Sequence, residues 1–237
     1  MKTNFSIVPK LLRDDPDLAF GLARSFAMGK KSMLIDNRFY DGRTHELALM
    51  YFRLTPLCNL RCVMCGQRGE KGVLKGAYAA AEAKKILPLE VYKRLVDEIK
   101  RKRPTIYLWG GEPFLYPDLF PLVEYMMEAG LPVSVNTNGT HLAAKAEEIV
   151  ARRWHAIFVS LDGFEETNDR IRGEGSYRRV IEGFEAIKRE KEKRGSHLPH
   201  MGIVTTVNRL NYRDLFRLAD AAREFGLSWH IFNLGTY

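Results

Sequence analysis

The chain has 237 residues, of which 46% are hydrophobic and 28% charged, and its formal net charge is +8. That is long and apolar enough to bury a substantial core, which excludes an intrinsically disordered chain. No apolar run approaches the roughly 20 residues that span a bilayer, and the opening Met1-Lys2-Thr3-Asn4-Phe5 lacks a signal-peptide apolar block; a soluble, cytoplasmic protein is therefore expected.

Residues 1–46 form the first segment and are expected to be a helical appendage. Asp15 followed by Pro16 reads as an N-cap and first helical position opening a helix over Leu18–Met28. Its stripe of Phe20, Leu22 and Phe26, flanked by Arg24, Lys30 and Lys31, is expected to pack on the body, with a membrane-surface helix as the rarer alternative. From residue 47 to 237, short apolar runs alternate with longer amphipathic segments, the pattern of parallel β/α units. Strands are expected at Leu47–Leu54, Thr105–Trp109, Pro132–Asn136, Ala156–Leu161, Gly202–Val207 and Trp229–Asn233. Helices are expected at Leu89–Arg103, Pro117–Ala129, Leu142–Arg153, Tyr177–Arg194 and Tyr212–Phe225, with Leu95, Val96 and Ile99 on one apolar stripe. The units recur every 30 residues or so, the size of a β/α repeat. Parallel strands buried on both faces suit an open sheet or a partial barrel, and in either case the loops after the strands share one rim, where such folds place their sites. The sequence stops at Gly235-Thr236-Tyr237, just after the sixth strand, which suggests a core domain cut from a longer protein.

The basic residues are spread among acids. The run Lys188-Arg189-Glu190-Lys191-Glu192-Lys193-Arg194 alternates in sign, as an exposed helix face does. No aromatic-interleaved basic stripe is present, so nucleic acid is a minority expectation. An excess of positive charge also suits an acidic protein partner.

Chemistry concentrates on the rim. Cys58, Cys62 and Cys65 are the only cysteines in the chain, and an odd count in one cluster argues for reduced thiols rather than a disulfide framework. A closed zinc site needs four ligands, and His45 and His141 are not at a finger-like offset. A C-x-x-C redox pair leaves Cys58 unexplained. An iron–sulfur cluster suits the spacing better: three thiolates on four irons leave one iron free to chelate a small molecule through amino and carboxylate groups. Gly110-Gly111-Glu112-Pro113 follows the second strand, Asn136-Thr137-Asn138-Gly139 ends the third, and Ser160-Leu161-Asp162-Gly163 ends the fourth. Each has a plain turn reading of its own.

Together, C-x3-C-x2-C after the first strand and G-G-E-P after the second resemble the radical S-adenosylmethionine (SAM) enzymes over residues 47–237. The resemblance is nearest to the peptide-modifying branch, whose S-[IL]-D-G and D-x-x-R pattern is similar to Ser160–Gly163 and Asp169–Arg172. It implies a (β/α)6 partial TIM-like barrel and a [4Fe–4S] cluster ligated by Cys58, Cys62 and Cys65. Reductive cleavage of SAM would give a 5′-deoxyadenosyl radical that abstracts hydrogen from a substrate, in peptide modification or cofactor biosynthesis. It further implies SAM contacts at Met64, where relatives have an aromatic residue, at Gly110, Gly111, Glu112 and Pro113 for the ammonium, and at Asn138. Ser160 would meet the ribose or carboxylate, and Arg172 would grip the carboxylate, with Asp162 beside them. An ion pair between Asp169 and Arg172 is the structural alternative. Val204–Asn208 would pass along the adenine, and His230 would line the substrate cavity or be a core histidine. Reduced flavodoxin or ferredoxin is the implied electron donor. A non-catalytic iron–sulfur or zinc module and an RNA-modifying radical enzyme are the rival readings.

Overall fold

The computed structural model describes residues 7–39, 46–83 and 85–235. Met1–Phe5, His45 and the terminal Thr236-Tyr237, all used above, lie outside the described residues. The strands are β1 (Leu49–Arg53), β2 (Thr105–Trp109), β3 (Val133–Thr137), β4 (Ala156–Ser160), β5 (His200–Val207) and β6 (Trp229–Leu234). The helices are α1 (Ile7–Asp14), α2 (Pro16–Lys31), α3 (Asn37–Phe39), α4 (Gly76–Ala83), α5 (Leu89–Ile99), α6 (Leu119–Glu128), α7 (Leu142–Ala151), α8 (Glu165–Arg172), α9 (Ser176–Arg194) and α10 (Leu215–Glu224). The strands form one parallel sheet in chain order, β1-β2-β3-β4-β5-β6. Every step between neighbours is bridged by a helix-bearing crossover, as parallel pairing requires. This is the expected (β/α)6 class of partial TIM-like fold. Each expected strand is present, with its ends moved by at most two residues. The helices α1, α3, α4 and α8 were not individually expected.

The described residues group into two compact units. One comprises those up to Phe52 together with Leu87–Leu108 and Asp118–Ser134. In it, Asp15 caps α2 as expected, its carboxylate accepting from Leu18 N at 2.9 Å. The face that α2 buries is not the expected one. Leu18 and Ala19 are buried, whereas Phe20 and Phe26 are 61% and 70% exposed. The reason is close approach: a Cβ at Gly21 would fall 2.2 Å from Pro132 Cγ, so the helix seats its small residues. Ser25 Oγ then bonds to Ala48 O at 2.8 Å and lies 2.7 Å from Thr105 Oγ1, and Arg24 bonds to Arg103 O at 2.9 Å. The α2 helix is thus a packed helix. In the same unit α5 buries Tyr92 and Val96, and α6 buries Leu119, Leu122, Val123 and Met126, each large apolar side chain contributing roughly 1.5–3 kcal/mol.

The other unit comprises Arg53–Ile86, Trp109–Pro117 and the described residues from Val135 on. Here β4, β5 and β6 pair in parallel with Phe158 opposite Gly202 and Gly202 opposite Trp229. The three positions share one face of the sheet, because paired residues point the same way. With no side chain at Gly202, the rings of Phe158 and Trp229 meet across it at 5.5 Å between centroids. A Cβ there would already stand 3.0 Å from the Phe158 ring and 3.1 Å from Trp229 Cβ. The helices α7 and α9 pack on each other and bury Leu142, Ile149, Val180 and Ile187, all essentially inaccessible.

Gly202→Leu is expected to wedge Phe158 from Trp229 and to destabilise the chain by about 1–3 kcal/mol, seen as a lower urea midpoint at unchanged slope. A midpoint equal to that of the parent chain would rule out this packing.

Candidate functional site

All twelve site residues expected from the sequence fall in the second unit. After β1 the chain runs beside the end of β2. Leu54 N bonds to Trp109 O at 2.9 Å, Gly111 N to Thr55 O at 2.7 Å and Glu112 N to Leu57 O at 2.7 Å. This approach is possible only without side chains: a Cβ at Gly110 would lie 2.6 Å from Thr55 O, and one at Gly111 would lie 2.0 Å from Leu57 O. The two glycines therefore fix the segment that delivers Cys58. Pro113, buried, opens a 3-10 turn over Pro113–Leu115 capped by Glu112.

Glu112 is wholly buried. Its Oε1 accepts from Thr137 Oγ1 at 2.7 Å and from Phe114 N at 3.1 Å, while Oε2 accepts from Asn138 N at 2.8 Å. Burial raises its pKa, and the bonds from Asn138 N, Thr137 and Phe114 and the charge of Arg172 oppose the rise. The carboxylate is engaged inside the protein and joins the loop after β2 to the end of β3. Asn138 is engaged in the same way. Its Nδ2 donates to Asn59 Oδ1 at 2.8 Å and to Cys58 Sγ at 3.8 Å, and its Oδ1 accepts from Thr140 N at 3.0 Å. Asn59, which the sequence did not single out, completes the clasp by donating from Nδ2 to Thr140 Oγ1 at 2.9 Å.

All three sulfurs receive N–H donors. Cys58 Sγ accepts from Leu60 N at 3.4 Å, Cys65 Sγ from Arg68 N at 3.3 Å and Cys62 Sγ from Arg172 Nη1 at 3.9 Å. Burial pushes the Cys62 thiol up to about 11 against the pull of Arg172, and it raises Cys58 against the bond from Leu60 N. Ligation by a cationic group reverses that preference and releases the protons. Among the described residues no three His, Cys, Asp or Glu side chains are drawn together on one point. A donor set of separate thiols, each already accepting an N–H, fits a multi-iron cluster.

Asp162 is wholly buried and Arg172 is 8% exposed. Arg172 Nε stands 2.7 Å from Asp162 Oδ2, a buried ion pair. Asp162 Oδ1 accepts from Thr206 N at 2.7 Å. Arg172 therefore does not pair with Asp169. Asp169 instead accepts from Gly175 N, Tyr177 N and Ser176 Oγ at 2.6, 2.8 and 3.0 Å; burial raises its pKa, but these bonds outweigh that and leave it lowered. Ser160 ends β4 partly exposed.

Met64 and Cys65 line a hollow of about 420 Å³ shared with Val63, Asn208 and Leu210. A second hollow, about 530 Å³, is lined by Arg61, Arg68 and Lys75 with Glu70. His230, on β6, is partly exposed. Thr205 Oγ1 donates to Leu161 O at 2.7 Å, which leaves it to accept from His230 Nε2 at 2.9 Å. Burial lowers the His230 pKa to about 4, so the ring is neutral.

The radical SAM superfamily model matches residues 52–222, and the chain belongs to the radical SAM superfamily, whose members are enzymes using a [4Fe–4S] cluster and SAM. It is 32% identical over 196 residues to the AdoMet-dependent heme synthase of Methanosarcina barkeri, covering 81% of this chain and 52% of that one. It is 27% identical over 201 residues to the mycofactocin maturase MftC of Mycobacterium tuberculosis, covering 83% and 47%. The chain thus spans about half the length of the curated relatives it matches. Streptococcus suis SuiB, in a structure bound to precursor peptide SuiA, shares the fold with a TM-score of 0.65 at 15% identity, over 87% of this chain and 43% of that one. No described helix is long and apolar enough to cross a membrane.

Gly111→Ala is expected to displace residues 55–57 and with them Cys58, so that thiol-reactive dye labels the unloaded protein faster while far-ultraviolet dichroism is kept; parental labelling kinetics would contradict this. For His230 the folded pKa, about 4, lies below the ordinary 6.5. The unfolded chain then binds more protons between these values, and stability is lost as pH falls through that window. His230→Gln should flatten this part of the stability profile, and an unchanged profile would show that the ring titrates freely.

Proposed function

We propose that Cys58, Cys62 and Cys65 hold a [4Fe–4S] cluster and that the chain cleaves SAM reductively to begin radical chemistry on a substrate. The observation that carries this reading is the N–H donor at each sulfur, on a loop fixed to Gly110–Glu112. The cluster, when bound, supplies the electron that splits SAM into methionine and a 5′-deoxyadenosyl radical able to take hydrogen from a substrate. The chain's own work is positional. Gly110 and Gly111 offer backbone to the ammonium, Ser160 offers a hydroxyl at the end of β4, and Met64 supplies apolar surface beside the adenine. Glu112, Asn138 and Asp162 act from behind, holding the strand ends and the sulfurs. Asn136 Oδ1 is buried without a hydrogen-bond partner, an acceptor that a ligand N–H or O–H can satisfy.

For the substrate we favour a tetrapyrrole in cofactor biosynthesis, supported by the relative named a heme synthase. A precursor peptide is the second reading, supported by the relative named a maturase. The reductant is a small acidic flavin or iron–sulfur protein such as flavodoxin or ferredoxin. Net charge +8 and the hollow at Arg61, Arg68 and Lys75 support it, since opposite charge steers encounter. Three thiols that must stay reduced support a cytoplasmic location.

Anaerobic reconstitution should give about four irons per chain, lost on Cys58→Ala, Cys62→Ala or Cys65→Ala, and dithionite should then release 5′-deoxyadenosine from SAM. Tight zinc binding with no SAM cleavage would reject the reading. Release that rises with an iron porphyrin selects the first substrate class, and a mass change in a peptide encoded beside the gene selects the second.

A further inference from the structure

We infer that Arg172, steadied by Asp162, is a positioning residue that directs a charged N–H at the Cys62 sulfur and thereby raises the reduction potential of the cluster held there. This rests on the cluster reading above and assigns Arg172 to the sulfur rather than to a SAM carboxylate.

Three anchors fix the guanidinium. Asp162 is held by Thr206 N at 2.7 Å and meets Arg172 Nε at 2.7 Å. Asp162 N donates to Asn168 Oδ1 at 3.0 Å, and Asn168, itself wholly buried, donates to Ser176 Oγ at 2.9 Å. Val63 N donates to Ile171 O at 2.8 Å, which ties the residue after Cys62 to the residue before Arg172. With Nε facing Asp162 and Nη1 facing Cys62, the fork is turned inward.

A buried ion pair is costly to desolvate and rarely adds net stability over apolar packing. Its presence here is accounted for by what it does to the sulfur. The donors at Cys58 and Cys65 are neutral, from Leu60 N, Asn138 Nδ2 and Arg68 N. Cys62 alone among the three accepts from a cation, and charged donors are roughly twice as strong as neutral ones. Hydrogen bonds to cluster sulfurs and nearby charge are what the protein uses to set cluster potential. A positive charge favours the state with one more electron, so Arg172 raises the potential and eases reduction.

The test is a spectroscopically monitored redox titration of reconstituted protein without SAM. For Arg172→Met the reduced-to-oxidised ratio at a fixed potential should fall at least tenfold, about 59 mV for one electron. Arg172→Lys should keep most of the parental value. Asp162→Asn with Arg172→Met should shift in the same direction but less, since no buried carboxylate is left unbalanced. Arg172→Gln supplies a third neutral variant. A parental midpoint in whichever neutral variants retain iron overturns the inference. Loss of iron from all three with Arg172→Lys intact also overturns it, because the role is then retention of the cluster. A parental midpoint with weakened SAM binding returns Arg172 to the ligand. If the parent chain itself binds no cluster, the functional reading fails; if only the variants' potential is insensitive, that reading stands and this inference alone is lost.

Discussion

The buried carboxylate of Glu112 is the constraint on which the rim depends. Taking such a charge out of water costs several kcal/mol, and here three donors offset it: Phe114 N, Thr137 Oγ1 and Asn138 N. Bonds to a charged group are worth roughly 1.5–3 kcal/mol each, so the balance closes only if all three are made together. That condition couples the loop after β2 to the end of β3. The coupling passes on through Asn138 to Asn59 and the sulfur of Cys58. A single acid thus fixes where the first thiol sits, though it touches no thiol itself.

The glycines before it serve the same end by a different force. Gly110 and Gly111 let the backbone of residues 54–57 lie in hydrogen-bonding contact with the strand end. A motif that reads as a ligand-binding bend is therefore also a packing joint. The two uses are compatible, because the joint consumes the N–H groups of Gly111 and Glu112 and the carbonyl of Trp109. The carbonyls of the two glycines are not among the groups it consumes.

Much of this was legible in the sequence where the signal is local. Alternating apolar runs placed all six strands, and Thr105–Trp109 was delimited to the residue. The cap at Asp15 and the cysteine spacing are likewise patterns within a few positions. What was not legible depends on partners far apart in the chain. Arg172 lies ten residues from Asp162 and much farther from Cys62, and the nearby Asp169 was the more obvious partner until its oxygens proved to be needed by Gly175, Ser176 and Tyr177. The orientation of α2 failed for a related reason. Hydrophobic periodicity favours the large residues Phe20 and Phe26, whereas close approach of Pro132 to Gly21 turns the face with Leu18 and Ala19 inward, and packing won. The helix α8, rich in charge and short, carries too little apolar pattern to be seen.

The three sulfurs end in unequal surroundings, and the inequality has a direction. Cys62 is buried and faces a cation, whereas Cys58 is partly buried and held by amides. Cys65 is bonded to a backbone N–H and opens on the hollow it shares with Met64 and Asn208. A group held by all three would therefore be shielded at one end and accessible at the other. Shielding strengthens the electrostatic effect of Arg172 where water is excluded, while the open end leaves room for a small molecule beside Met64. That hollow is also lined by Lys71 and Arg209 with Glu70, so positive charge lies on its accessible side. Burial, charge and access are thus sorted along one eight-residue segment by which neighbour reaches each cysteine.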